Sequence, residues 1–242
     1  MRALKNYLRK IADEKRSRLI LALDFLRETG KAAPFLIYSR CRHLLDDLSD
    51  LAVGVKIGFP LLFSIGLEGL RNIIEEYRRD FYFIADFKLS DIPYVVDHTL
   101  GEIRNLGFNG AIIQLFPTGY GGVVEKHRNE GLGVYGVVLM SHKGGRLFEN
   151  NFLVLLEYAR GLKLDGVIIG ATRGEYISKA RRILGEDILI ISPGVGVQGA
   201  RESSALASGA DFEIVGRSIT LSVKPKEQAK KIVEAQRKVM EL

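Results

Sequence analysis

Short apolar runs rich in β-branched residues recur at even intervals along the chain. They are RLILALDF at 18–25, AVGVKIGF at 52–59, FYFIADF at 81–87, GAIIQLF at 110–116, GVYGVVLM at 133–140, DGVIIG at 165–170, DILIIS at 187–192 and DFEIVG at 211–216. Each has the length and composition of a strand. Between them apolar positions return with helical spacing, as in PLLFSIGLEGLRNIIEEYRR at 60–79, NNFLVLLEYARGL at 150–162, RGEYISKARRIL at 173–184 and KEQAKKIVEAQRKVMEL at 226–242. Strand and helix therefore alternate. The strands are continuously apolar, the pattern of a parallel sheet covered on both faces. Eight such units in 242 residues match an α/β fold of the (β/α)8 TIM-barrel type. A doubly wound open sheet is the alternative, but eight units are more than it usually carries. No Pro/Gly/Ser-rich linker divides the chain, so residues 1–242 read as a single barrel domain, with 1–17 a basic helical extension.

The formal net charge of +6 admits nucleic acid as a partner, so the distribution of charge has to decide. Lys and Arg are scattered, with modest clusters in the first 18 residues, at 180–182 and in the last helix. No aromatic residues interleave them as a base-stacking platform would require. This pattern speaks for solvated helix faces and a small anionic substrate, not for nucleic acid. The single cysteine, Cys41, excludes an internal disulfide and suits the cytoplasm. No run approaches the roughly 20 apolar residues of a membrane span, and MRALKNYLRKIADEKRSR lacks the apolar centre of a signal peptide. A cytoplasmic protein with no membrane partner is expected. His43, His98, His127 and His142 are dispersed without zinc-ligand spacing, so no metal site is expected.

In a barrel the active site lies at the C-terminal ends of the strands. Read there, the first strand ends at Asp24, the second carries Lys56, the third carries Asp86 and Lys88, and the fifth ends at Met140, Ser141 and His142. Residues i and i+2 of a strand share a face, so Asp86 and Lys88 can project together into the mouth as an ion pair. Asp91 follows where the next helix begins, with Pro93 in its first turn. Taken singly, Asp91 reads as a helix cap and Asp86 with Lys88 as a structural pair. Together with Asp24 and Lys56, two lysines and three carboxylates converge on one mouth, an array costly to desolvate without purpose. Ser141 lacks the setting of a nucleophilic serine and reads as a hydrogen-bonding residue.

A second constellation suits phosphate. SPGVGVQGA at 192–200 is glycine-rich and reads as opening a helix whose N-terminus favours an anion, and IVGRSI at 214–219 adds Arg217. Loops after the seventh and eighth strands commonly hold phosphate in barrels. A Schiff-base lysine must be neutral, whereas carboxylates on either side hold Lys88 charged, which makes it an acid. A protonated lysine, a carboxylate beside it and a phosphate grip describe a site that stabilises and then protonates a carbanion, with no cofactor.

DFKLSDI at 86–92 resembles the D-x-K-x-x-D motif of orotidine 5′-monophosphate decarboxylases. The resemblance extends through LALD at 21–24, VKIG at 55–58, MSHKG at 140–144, GATR at 170–173, PGVGVQG at 193–199 and IVGRSI at 214–219, nearly the whole chain. It implies that Asp24 and Lys56 bind ribose hydroxyls, that Asp86 faces the substrate carboxylate, and that Lys88 delivers a proton to C6 of the pyrimidine. It further implies a homodimer in which Asp91 enters the partner's site and Ile92 lines the pocket around the departing CO2. Ser141 would bond the pyrimidine edge, Gln198 would bridge base and phosphate from a closing loop, and Gly216 and Arg217 would hold the phosphate. Three features depart from or add to the pattern: Val95 stands where the family often has threonine, residues 27–38 read as an added loop over the mouth, and the basic N-terminal helix is placed under the barrel. The alternatives are an Mg2+-dependent sugar-phosphate lyase or decarboxylase with a similar motif, and a non-catalytic nucleotide-binding protein.

Overall fold

The computed structural model describes residues 3–25, 34–142, 144–197 and 199–240. Eight parallel strands close into a barrel in sequence order: β1 (Leu19–Ala22), β2 (Gly54–Gly58), β3 (Tyr82–Leu89), β4 (Gly110–Gln114), β5 (Gly133–Leu139), β6 (Gly166–Ile169), β7 (Leu189–Pro193) and β8 (Phe212–Val215). Closure is made by β8 on β1, with Ile20 opposite Ile214. Six strands lie within the apolar runs, while β3 runs on to Leu89 and β7 to Pro193, past the ends of theirs. The described helices are α1 (Ala3–Lys15), α2 (Pro34–Leu48), α3 (Phe59–Tyr77), α4 (Pro93–Asn105), α5 (Gly121–Asn129), α6 (Arg146–Asn150), α7 (Phe152–Gly161), α8 (Gly174–Leu184), α9 (Ser204–Ala207), α10 (Arg217–Thr220) and α11 (Pro225–Met240).

Two buried shells explain the uninterrupted apolar strands. Leu21, Val55, Ile57, Phe83 and Ile113 point outward under the helices. Ile20, Tyr82, Ile84, Ile112, Tyr135, Ile168, Leu189 and Phe212 point inward and fill the barrel. Helix α1 closes the lower end, where Leu8, Ile11 and Ala12 are buried against the inner shell. Lys15 anchors its last turn by donating to the carbonyls of Ala52 at 2.9 Å and Asp80 at 2.5 Å. Within the base, Tyr135 Oη donates to Tyr82 Oη at 3.0 Å, and Tyr82 Oη donates to the Asn109 carbonyl at 2.9 Å, so neither buried phenol is left unpaired. Glycine is needed beside them: a Cβ at Gly110 would lie 2.6 Å from the Tyr135 ring, and one at Gly133 would lie 2.7 Å from Tyr82 Oη.

Three local expectations change. Residues 34–38 form the first turns of α2, not a loop over the mouth, while 26–33 lie outside the described residues. Asp91 is not the cap of α4: Ile92 holds that position with Pro93 next, and Asp91 Oδ1 instead accepts the Ile92 N–H at 2.7 Å. The 192–200 stretch does not open a helix directly. Helix α9 starts only at Ser204, and its first N–H groups are already taken by the buried Glu213 carboxylate, which accepts from Ser203 and Ala205 at 3.1 Å each.

Candidate active site

The C-terminal ends of the strands enclose a cavity of about 470 Å3, within the range of small-molecule sites. Its charged wall is an unbroken alternating row. Asp24 follows β1, Lys56 points inward from β2, and Asp86 and Lys88 come from the end of β3. Lys56 Nζ lies 2.6 Å from Asp24 Oδ2 and 3.1 Å from Asp86 Oδ2, and Lys88 Nζ lies 2.7 Å from Asp86 Oδ1. Each oxygen of Asp86 therefore has its own lysine. The remaining oxygen of Asp24 accepts the Gly58 N–H at 3.1 Å.

Burial is deepest in the middle of the row, where pairing decides the charge states. The side chains of Lys56 and Asp86 are 7% and 9% exposed, whereas Lys88 is 42% exposed and open to the cavity. Burial pushes Lys56 down, but the Asp86 and Asp24 carboxylates outweigh it and hold the ammonium above the ordinary lysine range. Burial likewise pushes Asp86 up, and Lys56 and Lys88 outweigh it and hold the carboxylate below the ordinary range. Desolvated charges thus stay charged because they are paired.

Lys88 reaches this position by an irregular path. Between Ala85 and Leu89 the β3–β4 register shifts, and Lys88 has a left-handed backbone, with φ of +43°. Such a bulge re-aims a side chain at a strand end. Asp86 and Lys88 do meet, but through the bulge and not through the simple two-residue repeat of a straight strand.

The floor of the cavity is apolar, built from inward positions of the strands: Ala22, Ile112, Val137, Ile168 and Ile214. Sequence reading missed these side chains as site residues, although their inward register was available from strand alternation. The stretches after β7 and β8, with Pro193 at the end of β7, bring Pro193, Gly194, Val195, Val197, Gly216, Arg217 and Thr220 to the wall, with β8 beside β1 so that a Cβ on Gly216 would lie 3.3 Å from that of Ala22. The loop after β7 turns through left-handed glycines, Gly194 at +105° and Gly196 at +80°, which lets its backbone approach a ligand closely. Arg217 begins α10 immediately after Gly216. Met140, Ser141 and His142 cover the side between the two ends.

Asp24, Lys56, Asp86, Lys88, Ser141, Gly216 and Arg217 are thus gathered around one cavity. Asp91 and Ile92 are not: both are exposed and do not line this chain's own cavity, so the convergence of three carboxylates is corrected to two. Gln198 lies outside the described residues. Among the described residues no group of three or more His, Cys, Asp or Glu is placed to hold a metal ion, and no helix is long and apolar enough to cross a membrane.

A closed parallel barrel with an ion-paired lysine and an arginine-bearing, glycine-rich loop pair around one cavity defines the class, a (β/α)8-barrel enzyme acting on a small anionic substrate. The sequence profile of the orotidine 5′-phosphate decarboxylase / HUMPS family matches residues 17–232, and the chain belongs to that family. It is 36% identical over 228 residues to the orotidine 5′-phosphate decarboxylase of Methanococcoides burtonii, covering 91% of this chain and 98% of the relative. It is 36% identical over 225 residues to that of Thermococcus kodakarensis, covering 90% and 96%. The crystal structure of orotidine 5′-monophosphate decarboxylase from Methanocaldococcus jannaschii complexed with the inhibitor BMP superposes with a TM-score of 0.79 at 30% identity, over 91% of this chain and 98% of that one.

Proposed function

We propose that this chain converts orotidine 5′-monophosphate to uridine 5′-monophosphate and CO2, in pyrimidine biosynthesis, without a cofactor. One observation carries the reading: the Asp24–Lys56–Asp86–Lys88 row and Arg217 line the same cavity, which is of nucleotide size. The C6–carboxylate bond breaks, its electron pair stays on C6 in the ring plane where the π-system cannot delocalise it, and CO2 departs. A fixed ammonium at Lys88 then supplies the electrostatic stabilisation, and its proton passes to C6. Asp86 faces the substrate carboxylate and, with Lys56, holds Lys88 in place. Asp24 and Lys56 bind the ribose, Ser141 bonds the pyrimidine edge, Gly216 and Arg217 grip the phosphate, and Gln198 bridges base and phosphate. Phosphate binding remote from C6 contributes to catalysis by closing the site against water.

The working unit is a homodimer in the cytoplasm, with Asp91 and Ile92 of each copy completing the other's mouth. In support, neither residue lines its own cavity, and Ile92, Tyr94 and Val95 after Asp91 and Phe59, Phe63 and Leu67 on α3 are large apolar side chains left exposed. Exposed apolar residues of that kind beside a functional loop suit a protein surface. Val95 brings a methyl pair, not a hydroxyl, to the position where threonine is frequent. The test follows loss of orotidine 5′-monophosphate absorbance with and without EDTA. Turnover that survives chelation is expected. A strict Mg2+ requirement would favour sugar-phosphate chemistry, and no turnover at all would defeat the reading.

A further inference from the structure

The β3–α4 turn that carries Asp91 has little of its own to hold it. Ser90, Asp91 and Ile92 are all exposed, and among the described residues the Asp91 carboxylate bonds only back onto its own turn, at the Ile92 N–H. The backbone is nevertheless tethered to the core from 29 residues away: Tyr120 Oη donates to the Asp91 carbonyl at 2.7 Å. Tyr120 is 0% exposed and belongs to the main core cluster. It is fixed in turn, since its carbonyl accepts the Val124 N–H at 2.8 Å in the first turn of α5, and its N–H donates to Tyr158 Oη of α7 at 3.3 Å. The same loop lies against Pro93, only 3.4 Å from where a Cβ on Gly119 would stand. Burial pushes the Tyr120 phenol up, so it remains a donor across physiological pH.

We infer that Tyr120 is a positioning residue for the reaction: its buried hydroxyl sets the path of the β3–α4 turn and so the direction in which Asp91 reaches the second copy's mouth, a placement that rests on the role proposed above for Asp91. Tyr120 touches neither the cavity nor the charge row of its own chain, as its absence from the lining residues requires. Its effect passes through one carbonyl oxygen to a carboxylate that acts elsewhere. A group placed wrongly by an ångström loses catalytic rate and leaves substrate affinity largely alone.

The test is a double-variant cycle with Tyr120→Phe, which keeps the ring and removes the hydroxyl, and Asp91→Ala. Tyr120→Phe is expected to lower kcat about three- to tenfold, the scale of one buried hydrogen bond, with KM changed by less than about twofold. In the Asp91→Ala background the same substitution should cost nothing further. Full activity in Asp91→Ala overturns the role of Asp91 itself, and the inference with it. A slow Asp91→Ala beside a Tyr120→Phe of parental kcat overturns the inference alone. So does a double variant slower than Asp91→Ala by the whole Tyr120→Phe factor, or a Tyr120→Phe defect abolished by raising protein concentration, which would assign the hydroxyl to assembly. Should Tyr120→Phe fail to fold, Tyr158→Phe loosens the same tether from α7 and is expected to lower kcat about twofold. Parental kcat there would overturn the inference equally.

Discussion

The two ends of the barrel are built on the same strands and solve opposite problems. On β3 the inward positions climb from Tyr82 through Ile84 to Asp86, from a sealed aromatic base to a charged mouth. At the base every inward polar atom of the tyrosine pair finds a neutral partner, glycines at 110 and 133 make the room, and α1 seals the end with Leu8 and Ile11. At the mouth the charged side chains pair chiefly with one another, and Asp24 also with the Gly58 N–H, in a row whose last member stays open to solvent. Burial at the base supplies stability, while at the mouth Lys88 stays 42% exposed beside the buried Asp86. The contrast is one of division, with each end able to change largely without the other.

The sharpest way to break that division is at Lys88. Lys88→Ala is expected to lower kcat by about 10^4-fold, the upper range for a proton donor, while stability moves by less than about 1 kcal/mol because the side chain is part-exposed. A stopped assay with a thermal melt checks both, and parental turnover would remove the role given to the residue. The reciprocal change is Leu8→Ala at the base, which should destabilise by about 2–4 kcal/mol through a cavity under the barrel and leave kcat of the folded enzyme unaltered. A denaturant titration with kinetics well below the melting point would show it.

The smallest effect concerns pH. Asp86, held below the ordinary carboxylate range, adds stability that is complete above about pH 4 and is lost as pH falls through its lower folded value. Lys56, held above the ordinary range, adds stability that is complete below about pH 10 and is lost as pH rises through its higher folded value. The stability gap between the parent and Asp86→Asn should accordingly be constant near neutrality and narrow on strong acidification. A gap that widened in acid would contradict the assignment.

Legibility in the sequence divides along a different line. The positions of Lys56 and Asp86 on their strands, and of Asp24 just past the end of β1, follow from apolar periodicity and from the polarity of a parallel barrel, both local or topological rules. The route by which Lys88 reaches Asp86 does not follow, because neither Phe87 nor Leu89 signals a bulge and nothing about a lysine asks for a left-handed backbone. Asp91 beside Pro93 carries every local mark of a cap, yet its turn is set by a tyrosine 29 residues on. The glycine-rich stretch after β7 suggested a free helix end, but a buried glutamate from β8 already fills the N-terminus of α9. In each case the deciding feature is one that local propensity does not register, and for Asp91 the partner is also distant in the chain.

The left-handed backbone of Lys88 has an evolutionary consequence. At φ of +43° the chain alone would favour glycine or asparagine, neither of which carries an ammonium. On the role proposed for Lys88, drift toward better folding at this position runs directly away from activity. A lineage that relaxed its need for the reaction would be expected to lose this lysine early and to gain conformational comfort in doing so, so the residue at 88 serves as a marker of whether selection still acts on the chemistry.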